Sequence, residues 1–159
     1  MLNIAIIGCG VIAQHHMRGL AKLSNAKVAA VCDLQPEFAK KTAEEFGIDR
    51  WVTDASELFA DPTIDAVILA LPAVARTALA VEAFKNGKHV LTEKPVAMNT
   101  AEVRTMIAAQ GDLVGACCSS RYHNFASAKA AHDFIQKGGL GKIRTITCRT
   151  SNKPADNPS

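Results

Sequence analysis

Asn3-Ile4-Ala5-Ile6-Ile7-Gly8-Cys9-Gly10-Val11-Ile12-Ala13 is the stretch on which the fold turns. Asn3–Ile7 is continuously apolar after its first residue, as in a strand covered on both faces of a parallel sheet. The next six residues read G-x-G-x-x-A. Gly8 permits a tight turn from strand into helix. Gly10 has no side chain, so a pyrophosphate can approach the backbone, and Ala13 is small enough for close helix–strand packing. A helix opening at this point offers free N–H groups and its positive dipole end to phosphates. Such a match alone also describes a tight turn that binds nothing. Its position, between a strand and a helix of a βαβ unit, gives it weight.

The rest of the chain repeats that alternation. Short runs rich in Val and Ile appear at Lys27–Cys32, Ala66–Leu71, His89–Thr92 and Leu113–Cys118, with a weaker one at Trp51–Thr53. Helical patterns lie between them. Ile12–Leu23 is one, and Gln35–Phe46 is another, with Pro36 at a first helical position and Gly47 just past the end. Ser56–Ala60 reads as a short turn capped by Ser56, Val74–Asn86 ends at Gly87, and Thr100–Gln110 is capped by Thr100 and closed by Gly111. Right-handed crossovers then require an α/β fold, a doubly wound parallel sheet of Rossmann type. Its expected extent is residues 1–120. Residues 121–159 hold a further helix, Ala126–Lys137, an extended run, Lys142–Thr150, and a polar, turn-rich tail. That last run is either an added edge strand of the main sheet or the first strand of a truncated second α+β domain.

Two more positions carry chemistry. Asp33 ends the second strand, 20 residues beyond Ala13. A carboxylate there accepts hydrogen bonds from the adenosine ribose and repels a 2′-phosphate, which favours NAD and makes NADP the less expected cofactor. No Arg follows in Leu34-Gln35-Pro36-Glu37. The bland alternative is a loop Asp that caps the next helix, and one residue can do both. Glu93-Lys94-Pro95 follows the strand His89–Thr92, at a carboxyl end where open α/β sheets bind ligands. A Lys there can donate to a substrate hydroxyl or carbonyl, or act as a base if burial lowers its pKa. Read by composition alone, the segment is rather a charged loop with a helix-entry proline, whose peptide bond can be cis.

Together these residues resemble the Gfo/Idh/MocA-like oxidoreductases, the family of glucose–fructose oxidoreductase and inositol dehydrogenase. The resemblance spans nearly the whole chain. It rests on Gly8, Gly10, Ile12 and His16 in a G-x-G-x-I-x-x-x-H pattern, on Gly87-Lys88-His89-Val90-Leu91 running into Glu93-Lys94-Pro95, on Arg121-Tyr122, and on Gly138 to Ile143. It implies that the chain is the NAD-binding portion of a dehydrogenase moving hydride between a nicotinamide cofactor and a hydroxyl-bearing small molecule such as a sugar or polyol. It implies cofactor contacts from Gly8, Gly10, Val11, Ile12, Asp33, Leu71, Pro72, Glu93 and Lys94, with Lys94 as the catalytic residue. A second domain, open and mostly antiparallel, would shape the substrate pocket, supply the Asp or His partners of Lys94 and make the parent a homo-oligomer. The fragment alone would bind dinucleotide without efficient turnover. The sequence departs from the family pattern at Ala73 and Arg76, where relatives often carry Asn and His. A different class, a non-catalytic dinucleotide-binding regulatory or sensor module, fits the same residues with Lys94 structural.

Composition bounds the remaining classes. Eighteen Lys and Arg against fifteen Asp and Glu leave a net charge of +3, with 48% apolar residues. That balance excludes extensive disorder and argues against a nucleic-acid partner, since no basic cluster is interleaved with aromatics. No apolar run approaches the ~20 residues that cross a bilayer. Cys9, Cys32, Cys117, Cys118 and Cys148 form no C-x-x-C and sit in apolar runs, as reduced thiols in a cytoplasmic protein do. No metal site is expected: His15 and His16 point in different directions on a helix, and nothing nearby in sequence is spaced to complete a ligand set.

Overall fold

The computed structural model describes residues 1–119, 125–147 and 149. The chain divides into two compact units, Met1–Ser119 and Ser120–Ser159. In the first, β1 (Leu2–Ile7), β2 (Ala26–Cys32), β3 (Trp51–Val52), β4 (Ala66–Leu69), β5 (His89–Thr92) and β6 (Gly115–Cys117) form one sheet in the order β3-β2-β1-β4-β5-β6. Every neighbouring pair is parallel. This is the Rossmann order, and strand order reverses between β1 and β4. The weak run at Trp51 is thus a real edge strand, and the run from Leu113 shortens to three residues.

The continuous hydrophobicity of β1 now has its cause. Ala5 and Ile7 pack on one face with Val67, Leu69, Leu58, Phe59 and Phe84. Ile4 and Ile6 pack on the other with Ala13, Met17, Ala39 and Ala43. Helices α1 (Val11–Leu20) and α2 (Pro36–Phe46) thus cover one side. Helices α3 (Ser56–Phe59), α4 (Ala73–Lys85) and α5 (Thr100–Gln110) cover the other. A strand sandwiched this way has no polar face to alternate with.

Helix ends follow the sequence with three corrections, the first being that α1 stops at Leu20, short of the expected Leu23. Pro36 opens α2, and Gly47 closes it in the left-handed region at φ 64. Ser56, however, is not a cap: it is the first residue of α3, and its N–H is taken by the Asp54 carboxylate. Thr100 is not a cap either. Asn99 precedes α5 and accepts the Glu102 N–H at 3.0 Å, while Glu102 reaches back to Asn99 Nδ2 and to the Met98 N–H. This is a reciprocal capping box shifted by one residue. Asn99→Ala should therefore cost about 1 kcal/mol, read as a fall of roughly 3 °C in the thermal midpoint.

In the second unit, α6 (Ala126–Gln136) forms as expected and is followed by a turn at residues 137–140. The expected strand from Lys142 does not form over residues 142–147; residues 148 and 150 lie outside the described ones, as do Arg121 and Tyr122. A strand exists by pairing its backbone groups, and the described residues of this unit offer it no second strand. Among the described residues, no helix is long and apolar enough to cross a membrane.

Candidate functional site

The carboxyl ends of β1, β2 and β4 converge on a cavity of about 660 Å³ lined by Gly8, Cys32, Asp33, Leu34, Thr53, Asp54, Leu71 and Glu82, among others. It lies at the reversal in strand order, where open α/β sheets take their ligands. Gly8 makes the turn at φ +94, with its N–H on the Cys32 carbonyl at 2.7 Å. A Cβ on Gly8 would stand 2.6 Å from the Ala70 carbonyl oxygen. Gly10 is the residue preceding α1, and no atom lies within 4 Å of where its Cβ would be. Among the described residues no side chain caps α1, so the N–H groups of Val11 and Ile12 face open space at the positive end of the helix.

Asp33 sits just past β2, lines the same cavity, and braces the glycine turn. Its Oδ2 accepts the Cys9 N–H at 2.9 Å and its Oδ1 accepts the Gln35 N–H at 3.0 Å. The loop-cap reading holds, since this carboxylate braces the entry to α2 as well as the glycine turn. Glu82 and Asp54 add further acid to this wall. The phosphate-turn cysteine is not activated by its helix. Burial pushes the Cys9 thiol up to about 11, and the nearby Asp33 carboxylate adds to the effect.

Leu71 and Pro72 follow β4; Leu71 lines the cavity and Pro72 precedes α4. Glu93, Lys94 and Pro95 follow β5, joined by a cis Lys94–Pro95 peptide bond. Glu93 is buried and Lys94 is exposed. The Glu93 carboxylate accepts the Lys94 N–H at 3.2 Å and meets His16 Nε2 at 3.0 Å, tying α1 to this loop.

Two features were missed in the sequence. The first is Arg76, the residue that departs from the family pattern. It is 4% exposed and donates to the carbonyls of Leu71, at 2.6 Å, Glu93 and Pro95. One guanidinium thus holds the β4 loop against the β5 loop. Burial lowers its pKa, an effect opposed by the Glu93 carboxylate. The second is a convergence of His16, Glu93 and Cys118, whose donor atoms all lie within 4.8 Å of one another. Burial pushes the Cys118 thiol up to about 11, with the Glu93 carboxylate adding to it. His16 and Glu93 are 77 residues apart, so spacing along the chain could not reveal the group.

The residues present fit a dinucleotide. An open approach to uncapped helix N–H groups suits a pyrophosphate, and a roomy cavity floored by a carboxylate suits an adenosine ribose. Residues 2–117 match the family model described as an oxidoreductase family with an NAD-binding Rossmann fold, Gfo/Idh/MocA. The chain is 29% identical to a myo-inositol 2-dehydrogenase of Thermotoga maritima, over 99% of this chain and 47% of that protein. It is 34% identical to an inositol 2-dehydrogenase of Burkholderia ambifaria, over 96% of this chain and 46% of that one. The solved scyllo-inositol dehydrogenase of Lactobacillus casei, with bound NAD(H) and scyllo-inositol, superposes with a TM-score of 0.81 at 25% identity, covering 90% of this chain and 43% of that one. The chain therefore spans about half the length of the curated relatives it matches.

Proposed function

The chain belongs to the Gfo/Idh/MocA oxidoreductase family, and we propose on that basis that it is the dinucleotide-holding part of an NAD-dependent dehydrogenase acting on a hydroxyl-bearing ring or chain, a polyol or sugar. The observation that carries the reading is that Gly8 and Asp33 line one cavity at the reversal in strand order, with Gly10 opening α1 two residues beyond Gly8. Bound NAD would supply the hydride acceptor; the protein supplies position and electrostatics. Gly10 leaves room for the pyrophosphate, and Val11 and Ile12 donate their N–H groups to it. Asp33 accepts from the adenosine ribose. Leu71 and Pro72 border the nicotinamide side, and Glu93 holds the loop that presents Lys94. Lys94, solvent-exposed, is the residue that touches substrate and shuttles the hydroxyl proton. Residues beyond about 120 would open the substrate-shaping domain that the longer relatives have room for, and the whole protein would assemble as a homo-oligomer. A cytoplasmic setting agrees with the free thiols of Cys9, Cys32, Cys117 and Cys118.

Calorimetric titration with NADH and NADPH tests the reading. The chain should bind NADH more tightly, because Asp33, Asp54 and Glu82 set a negative wall where a 2′-phosphate would sit. Asp33→Ala should weaken NADH by about 10-fold or more, the loss of charge-assisted hydrogen bonds, and erase the preference. Equal binding of the two by the unaltered chain would remove Asp33 from that role.

A further inference from the structure

We propose that His16, Glu93 and Cys118 form a binding site for a borderline-soft divalent cation of the Zn²⁺ class. The three donors come from three separate segments: His16 from α1, Glu93 from the first position after β5, and Cys118 from the first position after β6. They are an imidazole, a carboxylate and a thiol. Zn²⁺ takes this mixture, whereas Mg²⁺ and Ca²⁺ require oxygen donors.

The geometry is close to what the ion needs. Zinc–ligand bonds of about 2.0–2.3 Å in a tetrahedron set donor separations of roughly 3.3–3.8 Å. The three donor atoms already lie within 4.8 Å of one another, and the imidazole and carboxylate stand 3.0 Å apart. Closing the remainder takes about 1 Å, within the reach of side-chain rotation and without a backbone shift. The surroundings favour occupation as well. The side chains of His16 and Glu93 are only 16% and 10% exposed, so the carboxylate sits largely out of water beside a neutral thiol. The Arg76 guanidinium donates to backbone carbonyls of this loop and not to the Glu93 carboxylate. A cation would bind that carboxylate directly, where Arg76 acts on it only from a distance.

Binding is balanced by loss of the Cys118 thiol proton to solvent, as the thiolate becomes the ligand. Three protein donors leave the fourth position open to water or to an oxygen of a small molecule. Occupation would pin α1 and the ends of β5 and β6 together, one residue from Lys94.

The test is a titration of the metal-free 159-residue chain with Co²⁺, followed by absorption, with no dinucleotide present, so that its outcome is independent of the NAD reading. We expect a thiolate-to-cobalt charge-transfer band and the intense visible bands of four-coordinate Co²⁺, displaced by stoichiometric Zn²⁺. Cys118→Ser should abolish the charge-transfer band, while Cys117→Ser keeps it. His16→Gln should weaken Zn²⁺ by at least about 100-fold, since even the loss of a ligand's supporting partner costs 10–100-fold. Circular dichroism verifies that each variant is folded, and Cys118, half-buried, is replaced by a serine of nearly its own shape. A band that survives Cys118→Ser, or no band with Co²⁺ in large excess, overturns the proposal.

Discussion

Replacing Arg76 with alanine is expected to lower the thermal midpoint by about 10 °C. The guanidinium is buried and serves three backbone carbonyls at once, those of Leu71, Glu93 and Pro95. Truncation leaves these acceptors, that of Glu93 buried and the other two partly so, without their donor. A buried group that loses its partner costs about 1–3 kcal/mol. Partial relaxation of the two loops brings three such losses to about 3 kcal/mol in all, and a domain of this size shifts by roughly 3–4 °C per kcal/mol. Arg76→Lys should recover only part of this, because an ammonium group is a point donor and cannot span carbonyls on two loops as a planar fork does. The same substitution should weaken NADH about tenfold at a temperature where the variant is fully folded. Leu71 and Pro72 would no longer be held at a fixed distance from Glu93 and Lys94. A midpoint within 2–3 °C of the unaltered chain would mean that the clamp carries little load; unchanged NADH affinity in a destabilised variant would confine Arg76 to folding.

What could be read in the sequence, and what could not, divides along one physical line. The parallel sheet was legible because burial on both faces writes itself locally, as unbroken apolar runs such as Ile4–Ile7. The glycine turn was legible because its requirements are steric and fall within six residues. Asp33 was legible because its distance from the turn is fixed by one βαβ unit. The capping of α5 was misread by a single residue, since Asn99 and Thr100 are both good caps and only the reciprocal reach of Glu102 decides between them. Arg76 was noticed only as a departure from a pattern. Its role depends on where Pro95 comes to lie, 19 residues on. The His16–Glu93–Cys118 group is the extreme case. Nothing in the spacing of its members carries the signal, because α1, β5 and β6 become neighbours only once the whole sheet is assembled.

Gly8→Ala and Gly10→Ala form a pair whose results should diverge sharply. At Gly8 the backbone stands at φ +94, and a Cβ would approach the Ala70 carbonyl oxygen to 2.6 Å and Leu71 Cδ2 to 2.8 Å. The carbonyl belongs to a sheet neighbour whose own N–H is bonded to Ile7, so it cannot retreat without breaking the β1–β4 pairing. Left-handed strain of about 1–2 kcal/mol and overpacking of about 1–3 kcal/mol together give a loss of about 4 kcal/mol. The thermal midpoint should fall by roughly 12–15 °C. At Gly10 φ is −73, and nothing lies within 4 Å of the added methyl. That chain should unfold within about 3 °C of the unaltered one, as an alanine at this position costs the helix start under about 1 kcal/mol. Its NADH affinity should nevertheless fall by at least tenfold, because the methyl occupies the space through which a pyrophosphate reaches the Val11 and Ile12 N–H groups. Two glycines two residues apart thus separate the fold's requirement from the ligand's. Full NADH affinity in Gly10→Ala would place the dinucleotide elsewhere, whatever the fold. A Gly8→Ala chain as stable as the original would mean that β1 and β4 can part at their carboxyl ends, and the cavity between them would then have no fixed floor.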